Sequence, residues 1–429
     1  MFKTIVNAFK DKEIRNKILI TLALLLVYRL GCWLPVPGID VKAFSASVGG
    51  QDFLKLLSSV SGGALANASI LALGISPYIS SSIIIQLLTI AIPSLERLSR
   101  MGEEGKKKIS LYTKICALVL AIVQAVAIVV SYSSVLNTLT MPKWLVGVMV
   151  VIILVAGSMF TYWLGEKITS YGIGNGMSLL IFVGILSTSA TSLYTVIVNI
   201  FKGNMESLLE LILFIVALVL IFGFIVFMDL GERRIPVQYA KQVKGRKMYG
   251  GQSTFIPIRV NSTGVMPIIF ASSIITFPQL LFSIFWPNAK GGFIGWWNEW
   301  IGGGGWLNIV LTGLLILFFA YFWTQVTFNP EDISRNIQQN GGFILGIRPG
   351  KPTAEYLKKI SNRITLFGAI FLAIIAIVPS AVFKAVLPTG VLVNAFGATG
   401  LLIVVSVAIE LDKALDSQML MKNYKGFLK

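Results

Sequence analysis

The chain has no histidine, only two cysteines, and charged residues at just 13% of its 429 positions. Histidine is the commonest general base and transition-metal ligand, so its absence excludes serine–histidine triads and HExxH zinc sites. Cys32 and Cys116 both lie in apolar runs, which leaves no disulfide framework and no metal-ligand spacing. We therefore expect no cofactor, no metal, no catalytic residue and no enzymatic activity.

The scarcity of charge also excludes an ordinary soluble protein, in which about a quarter of the residues are charged. Hydrophobic residues make up 55% of the chain, and the mean hydropathy is +0.80. Apolar runs of about 20 residues, the length with which a helix crosses a bilayer, recur along the sequence. A β-barrel would show short alternating segments instead. The composition therefore predicts an all-α polytopic membrane protein.

Ten apolar spans set the predicted topology. Every second hydrophilic stretch is basic, and these stretches hold 27 Lys and Arg residues against six in the others. This asymmetry places both termini in the cytoplasm. The spans divide five and five, which predicts two pseudo-symmetric halves, 18–205 and 206–410, between an amphipathic N-terminal cytoplasmic segment (1–17) and a cytoplasmic tail (411–429). The spans are 18–34, 70–92, 115–131, 144–164, 177–198, 208–228, 263–286, 306–327, 364–383 and 390–410.

Two long loops, 229–262 and 328–362, are both basic and rich in glycine and polar residues. Loops of this length in a compact membrane protein are usually functional. One interpretation is a solvated loop that only fixes the topology. The other is a docking surface for a cytoplasmic partner, and the length and charge of the loops favour it.

The segment 62–92 is too long and too interrupted for one regular helix. Glycines open it and break it midway, and Pro77 restarts it. Residues 64–74 could form a helix of about 16 Å, half the thickness of a membrane. Backbone at that depth must be shielded by protein or line a cavity. Two interpretations stay open, a re-entrant half-helix that leads into a full span and a kinked transmembrane helix.

Ionisable side chains are almost absent from the spans, and Arg29 is the clear exception. It lies near the outer end of the first span, where its long side chain is expected to snorkel to the interface. A secondary transporter with inverted repeats is the main alternative, but it would need charged or convergent polar groups at the midplane. A membrane-embedded enzyme lacks catalytic residues, and a structural scaffold would need neither the interrupted segment nor the basic loops.

Five stretches, in this order along the chain, are long and specific enough to carry a family resemblance. They are GGALANASILALGISPYISSSIIIQLL, WLGEKITSYGIGNGMSLLIF, GERRIPVQYAKQVKGRKMYGGQSTFIPIRVN, GVMPIIFASSIITFP and FNPEDISRNIQQNGGFILGIRPGKPTAEYL. Together they resemble the SecY family of protein-translocation channels over essentially the whole chain. The resemblance implies two five-helix halves around a central pore, hinged between the fifth and sixth spans. It also implies a lateral gate between the second and third spans on one side and the seventh and eighth on the other.

The function implied by this resemblance is that of a protein-conducting channel in the bacterial plasma membrane. Such a channel passes unfolded secretory polypeptides across the membrane and releases transmembrane segments sideways into lipid. The implied substrates are signal sequences and unfolded preproteins. The implied partners are the small membrane subunits SecE and SecG, the SecA motor ATPase and the translating ribosome, with YidC and membrane lipid as further partners.

The resemblance also assigns site residues by position. A plug is implied at 62–73, that is Gly62, Gly63, Ala64, Leu65, Ala66, Asn67, Ala68, Ser69, Ile70, Leu71, Ala72 and Leu73. Six apolar side chains are expected to form a constriction at mid-membrane, the pore ring: Ile79, Ile83, Met177, Ile181, Ile269 and Ile403. Isoleucine is usual at these places, and Met177, which departs from it, is expected to seal less rigidly.

Two further sets are polar. Small polar residues of the second and seventh spans are expected at the lateral gate, namely Ser82, Gln86, Ser272, Ser273 and Thr276. Basic residues of the two long loops are expected to dock the motor and the ribosome, namely Lys241, Lys244, Arg246, Lys247, Arg348 and Lys351. Arg348 stands between turn residues, which would give it a defined direction and allow the bidentate contacts that lysine cannot make.

Overall fold

The computed structural model describes residues 9–49, 58, 61–99, 101–131, 142–203, 205–239, 242–244, 247–249, 253–261, 264, 266–285, 291–302, 306–386 and 398–426. The first eight residues of the predicted N-terminal segment lie outside the described residues. The helices are α1 (Lys12–Gly31), α2 (Val41–Gly49), α3 (Ser76–Ala91), α4 (Pro93–Ser99), α5 (Glu103–Ser131), α6 (Lys143–Tyr171), α7 (Gly176–Phe201), α8 (Met205–Leu230), α9 (Met266–Phe285), α10 (Gly292–Trp297), α11 (Trp306–Thr327), α12 (Pro330–Gln339), α13 (Lys351–Val386) and α14 (Ala398–Gly426).

A π-helical turn, Asn298–Gly302, follows α10. The strands are β1 (Glu232–Tyr239), β2 (Gln242–Lys244), β3 (Lys247–Tyr249), β4 (Ser253–Arg259) and β5 (Gly342–Phe343). They form one sheet in the order β4-β1-β5 and a two-stranded hairpin of β2 and β3.

Each of the ten predicted spans overlaps a helix, although residues 70–75 at the start of the second span form turns. Six helices of the described chain, α5, α6, α7, α8, α11 and α13, are long and apolar enough to cross a membrane. The bent pair α3 and α4 adds a seventh if it is one broken span, since its two parts meet at 106°. The helical polytopic class is confirmed, and the predicted count of ten is consistent with these spans.

The ends of α3 follow from two prolines. Pro77 lies in the first turn, where its missing N–H would have no helical partner in any case. The predicted restart of the helix at Pro77 is confirmed. At the other end, Pro93 disfavours helical geometry in the residue before it. Ile92 accordingly has an extended backbone, with φ −108° and ψ 111°, and the chain bends there.

The two long loops carry more regular structure than a solvated loop would need. β1 and β4 come from the first loop and pair antiparallel, and β5 of the second loop pairs with the end of β1, Gln238 opposite Phe343. The sheet buries one face against α12 and the start of α13. We call this assembly, 232–259 with 330–357, the loop module. Its buried core is Ile235, Val237, Ile258, Ile337, Ile344 and Leu357.

The chain forms two compact units. Unit 1 consists of Met1–Ile212, Ser273–Asn308 and Leu387–Lys429, and unit 2 consists of Leu213–Ser272 and Ile309–Val386. Unit 1 thus contains α1 to α7 and α14, and unit 2 contains the loop module. The division into halves predicted from the sequence stays a prediction.

One hydrophobic cluster of unit 1 joins the predicted plug to its neighbours. It consists of apolar side chains from the plug, from the stretch before it, and from α5 and α6. Several are alanines, and small residues let helix backbones approach closely at membrane depth. The buried members are Val36, Phe44, Leu65, Ala68, Ala72, Leu73, Ala125, Ala127, Val146, Val150 and Leu154.

Candidate functional site: the plug and the residues around it

The predicted plug folds as successive turns rather than as the half-length helix that was one expectation. Residues 61–75 contain no helical turn of regular α geometry. Gly62, Gly63 and Gly74 have φ values of 70°, 81° and 53°, and Ala68 in the middle has φ 45°. A residue in the left-handed region cannot continue a right-handed helix. The half-helix expectation is therefore wrong, because the interruption at Ala68 falls inside the segment.

Backbone pairing fixes the middle of the plug. The Val36 N–H donates to the Ala68 carbonyl at 2.8 Å, and the Ile70 N–H donates to the Leu34 carbonyl at 2.9 Å. The two bonds flank an isolated antiparallel bridge. They satisfy backbone groups that a turn leaves open, which matters at membrane depth because water is scarce there. They also hold Ala68 in its left-handed conformation.

The end of the plug lies on α6. The Ser158 hydroxyl donates to the Gly74 carbonyl at 3.3 Å. One residue before it, buried Gly157 lies so close to the Ile70 carbonyl that a Cβ at this position would overlap the oxygen. A close approach of this kind requires glycine. The seat for the plug is therefore a small-residue pair on α6.

The start of the plug is held by α1 and α7. Arg29 Nη1 donates to the Gly62 carbonyl at 3.0 Å, and Arg29 Nη2 donates to the Ser187 hydroxyl on α7. The hydroxyl of buried Tyr28 donates to the Ser61 carbonyl at 3.4 Å. Acceptors for both terminal nitrogens of half-buried Arg29 therefore lie inside unit 1, and the expectation that its side chain snorkels to the interface stays a prediction.

The residues assigned to the pore ring lie on four helices. Ile79 and Ile83 are one turn apart on α3, and Met177 and Ile181 are one turn apart on α7, so each pair shares one helix face. Ile269 lies on α9, in unit 2. Ile83, Ile181 and Ile403 are buried at 5%, 7% and 7% exposure, and Ile79, Met177 and Ile269 are half-buried. The ring itself stays a prediction.

Helix packing places α6, α7 and α14 side by side within unit 1. The sulfur of Met177 lies against Gly165 of α6, where a Cβ would overlap it. A Cβ at Gly400 of α14 would come within 3.2 Å of Ile185 on α7. Glycines at both crossings therefore bring the helices that carry Met177, Ile181 and Ile403 close together.

Three of the residues assigned to the lateral gate, Ser82, Gln86 and Ser272, make side-chain hydrogen bonds within their own helices. Gln86 Nε2 donates to the Ser82 hydroxyl at 3.0 Å on α3, while its buried Oε1 has no hydrogen-bond partner in the described part of the chain. On α9, the Ser272 hydroxyl donates to the Ile268 carbonyl at 2.8 Å. Ser273 lies beside it, and the side chain of Thr276 is outside the described residues.

The residues assigned to docking are described only in part. Lys241 and Arg246 lie outside the described residues, as do the side chains of Lys244 and Lys247. Arg348 and Lys351 are exposed. They belong to the Arg348 loop, 344–351, which leads from β5 into α13 and borders a cavity of about 590 Å³.

The backbone of the Arg348 loop is tied down on both sides of the arginine. The Thr353 hydroxyl donates to the Arg348 carbonyl at 2.9 Å, and the Ser334 hydroxyl donates to the Gly350 carbonyl at 2.7 Å. The predicted fixed direction of Arg348 has support from these bonds, while its docking role stays a prediction.

Within the described ranges, no group of three or more His, Cys, Asp or Glu side chains could hold a metal ion. The groups that do converge are backbone carbonyls of the plug and the donors of α1 and α6. They can hold an irregular segment in place, but they offer no nucleophile or general base.

An irregular, buried segment held by apolar helices, in a chain whose described residues form six or seven membrane-length helices, indicates a polytopic membrane protein. The family model described as SecY matches residues 69–411 of this chain. The chain belongs to the SecY family.

The similar relatives carry the description "Protein translocase subunit SecY". The one from Mycobacterium bovis is 39% identical over 453 residues and covers 100% of both chains. The one from Streptomyces coelicolor is 40% identical over 445 residues, again with 100% of both chains covered. The alternative of a secondary transporter is not favoured by these relatives.

Solved structures share the fold. One, described as the structure of a protein conducting channel, has a TM-score of 0.67 at 20% identity and covers 94% of this chain and 92% of its own. Another, described as Sec61 in the canine ribosome-channel complex from the endoplasmic reticulum, has a TM-score of 0.61 at 18% identity, with the same shares covered. Both likenesses confirm the fold class.

Proposed function

We propose that the chain is the protein-conducting channel of a bacterial Sec translocase. The observation that carries the proposal is the identity of 39% and 40% to SecY translocase subunits over the full length of both chains. The plug supports it, since a channel wide enough for an unfolded chain needs a stopper at rest. Among the solved structures that share the fold, one is described as showing that the plug domain of the SecY protein stabilises the closed state and maintains a membrane seal.

In this proposal the pore ring is the narrowest point of the channel. Every substrate side chain differs, so a specific binding site would hinder transport. Apolar side chains offer little to bind, and a narrow apolar constriction excludes ions because it dewets. The i, i+4 spacing of the pairs on α3 and α7 supports the assignment, because it lets each helix present two ring residues from one face.

The lateral gate opens in this proposal when a signal sequence binds at the gate residues of α3 and then partitions into lipid. A hydrogen bond within one helix, such as that between Gln86 and Ser82, need not break when this helix moves away from a neighbour. The buried Oε1 of Gln86, which has no hydrogen-bond partner in the described part of the chain, would become available to a peptide N–H when the gate opens. The opening energy comes from the apolar signal, whose affinity differs between the closed and open states.

The proposed location is the plasma membrane, with both termini in the cytoplasm. Leu22, Leu26 and Leu30 form an exposed stripe on α1, at 54%, 59% and 56% exposure, which suits lipid or the helices of SecE and SecG. SecA and the translating ribosome would share the basic loop module, and YidC would receive released segments. Energy for transport comes from these partners, because the channel hydrolyses nothing.

The test uses stalled nascent secretory chains and a channel with single engineered cysteines. Ser82→Cys, on the proposed gate helix, should crosslink to the nascent chain. Ile152→Cys is the matched control, since Ile152 on α6 is 62% exposed on the surface of unit 1. Crosslinks at both positions, or at neither, contradict a chain path along α3.

A further inference from the structure

The hydrogen bond from Arg29 to the plug differs from the other contacts of the plug, because its donor is charged. Most plug contacts are apolar packing or hydrogen bonds between neutral groups, whereas Arg29 brings a cation to the carbonyl of Gly62. Hydrogen bonds to charged groups contribute about twice as much as those between neutral groups. The first turn of the plug is therefore the most strongly held part of its backbone.

The geometry at Gly62 shows how tightly this turn is enclosed. Its φ is 70°, and a Cβ added there would come within 2.6 Å of Arg29 Nη1 and 2.9 Å of the Gly184 Cα on α7. The Cα of Gly62 thus lies in a slot between one guanidinium and one helix backbone, and its carbonyl accepts from that guanidinium. The plug cannot leave this slot without breaking the bond to Arg29.

Arginine suits the position because two of its nitrogens point to two different acceptors. One reaches the plug and the other reaches Ser187, 158 residues further along the chain. A lysine has one nitrogen on a flexible stem and cannot bridge the two sites in a fixed direction. When the plug moves, one nitrogen of half-buried Arg29 loses its acceptor inside unit 1, where an unpaired polar group is unfavourable.

We propose that Arg29 is a specificity-determining residue of the channel: by joining the first turn of the plug to Ser187 on α7, it sets how apolar a signal sequence must be to open the channel. This inference rests on the proposed function. A weakly apolar signal binds the gate with too little free energy to break the Arg29 bonds, and a strongly apolar signal breaks them.

The experiment uses cells that express the full chain with its own membrane subunits, and two reporters with the same mature domain. One reporter has a strongly apolar signal sequence and the other has a charge within its apolar core. Arg29→Gln should raise the export ratio of weak to strong signal about tenfold, the effect of losing one charged hydrogen bond. Ser187→Ala removes the other end of the bridge with no change of charge, and should raise the same ratio.

The double variant separates this role from general destabilisation. If both residues act through one bridge, Arg29→Gln with Ser187→Ala should raise the ratio no further than Arg29→Gln alone. Thr191→Ala is the matched control, because the Thr191 hydroxyl bonds only to backbone carbonyls of its own helix, Thr188 at 2.8 Å and Ser187 at 3.3 Å, among the described contacts, and the Ser187 hydroxyl stays in place. That variant should leave the ratio unchanged.

Four results overturn the inference. They are an unchanged ratio in Arg29→Gln at normal abundance, an equal loss of both reporters, full additivity in the double variant, and a rise in Thr191→Ala equal to that in Ser187→Ala. If Arg29→Gln does not accumulate, Ser187→Ala decides alone. Failure of the unaltered channel to export either reporter would instead contradict the proposed function, and the role of Arg29 with it.

Discussion

The plug and the Arg348 loop are both irregular and both contain left-handed glycines, but their surroundings are opposite. In the plug, Gly62 lies in a closed slot and its carbonyl is bound by a cation. In the loop, Gly346 and Gly350 have φ values of 78° and 97°, and a Cβ on Gly346 would meet nothing within 4 Å. There the tied backbone exposes a cation instead of binding one.

The same backbone conformation therefore serves two purposes in this chain. A left-handed glycine lets the chain turn sharply, and the neighbours decide what the turn does. Where helices surround it, the turn fills space and seals. Where solvent surrounds it, the turn presents the side chain beside it. The following predictions test this contrast between a sealing segment and a presenting segment.

The largest effect is expected from filling the seat of the plug. Gly157→Leu would drive a side chain into the Ile70 carbonyl, and overpacking of this kind costs about 1–3 kcal/mol or more. The plug should be displaced, so the resting channel should conduct ions in a planar bilayer. Gly223→Leu on α8 is the control, because a Cβ there meets nothing within 4 Å. If the Gly157→Leu channel does not conduct ions at rest, the contact between α6 and the plug does not keep the channel closed.

A smaller ion leak is expected when the proposed pore ring is made polar. Replacing Ile79, Ile83, Ile181 and Ile403 together by serine should wet the proposed ring and raise resting conductance. A single replacement should do little, because the remaining ring residues are still apolar. Conductance like that of the unaltered channel in the quadruple variant would count against the ring assignment.

In the Arg348 loop, a change of charge should affect export, whereas a change of packing should not. Arg348→Glu should reduce motor-driven export about tenfold or more, while Arg348→Lys should reduce it less, since lysine keeps the charge and loses the bidentate geometry. The amount of folded channel in the membrane should stay the same in both, because Arg348 is exposed. Full export by the Glu variant would leave the loop without a docking role.

The smallest expected effects are on stability, when Gly346 and Gly62 are each replaced by alanine. Gly346→Ala changes only the backbone preference, and should lower stability by about 1–2 kcal/mol. Gly62→Ala adds a clash with Arg29 and with the α7 backbone, so it should lower stability more. Thermal unfolding of the purified variants in detergent measures both. Equal shifts in the two variants would show that the slot around Gly62 is loose.

Much of the fold could be predicted from the sequence, because the signal is local. Apolar runs locate the helices, and Pro77 and Pro93 mark the ends of α3. The strands of the loop module also leave a local trace, since Ile235 and Val237 alternate with exposed residues on β1. The pairing of β1 with β5 leaves none, because it joins residues about a hundred positions apart, Gln238 and Phe343.

The contacts of the plug could not be predicted for the same reason. The sequence shows the glycines of the segment, but the left-handed Ala68 depends on pairing with the stretch that follows α1. Arg29 is visible as the one clear charge in a span, yet its partner Ser187 lies 158 residues away. Gly157 resembles any other helical glycine until the Ile70 carbonyl is placed beside it.

We propose that residues 62–73 close the resting channel. The decisive measurement is the ion conductance of a single resting channel from which these residues have been deleted, with its membrane subunits present and no substrate. We expect that the deleted channel conducts at rest and still exports preproteins, including those with weakly apolar signals. A deleted channel that is as silent as the full chain, and as selective for apolar signals, would contradict it.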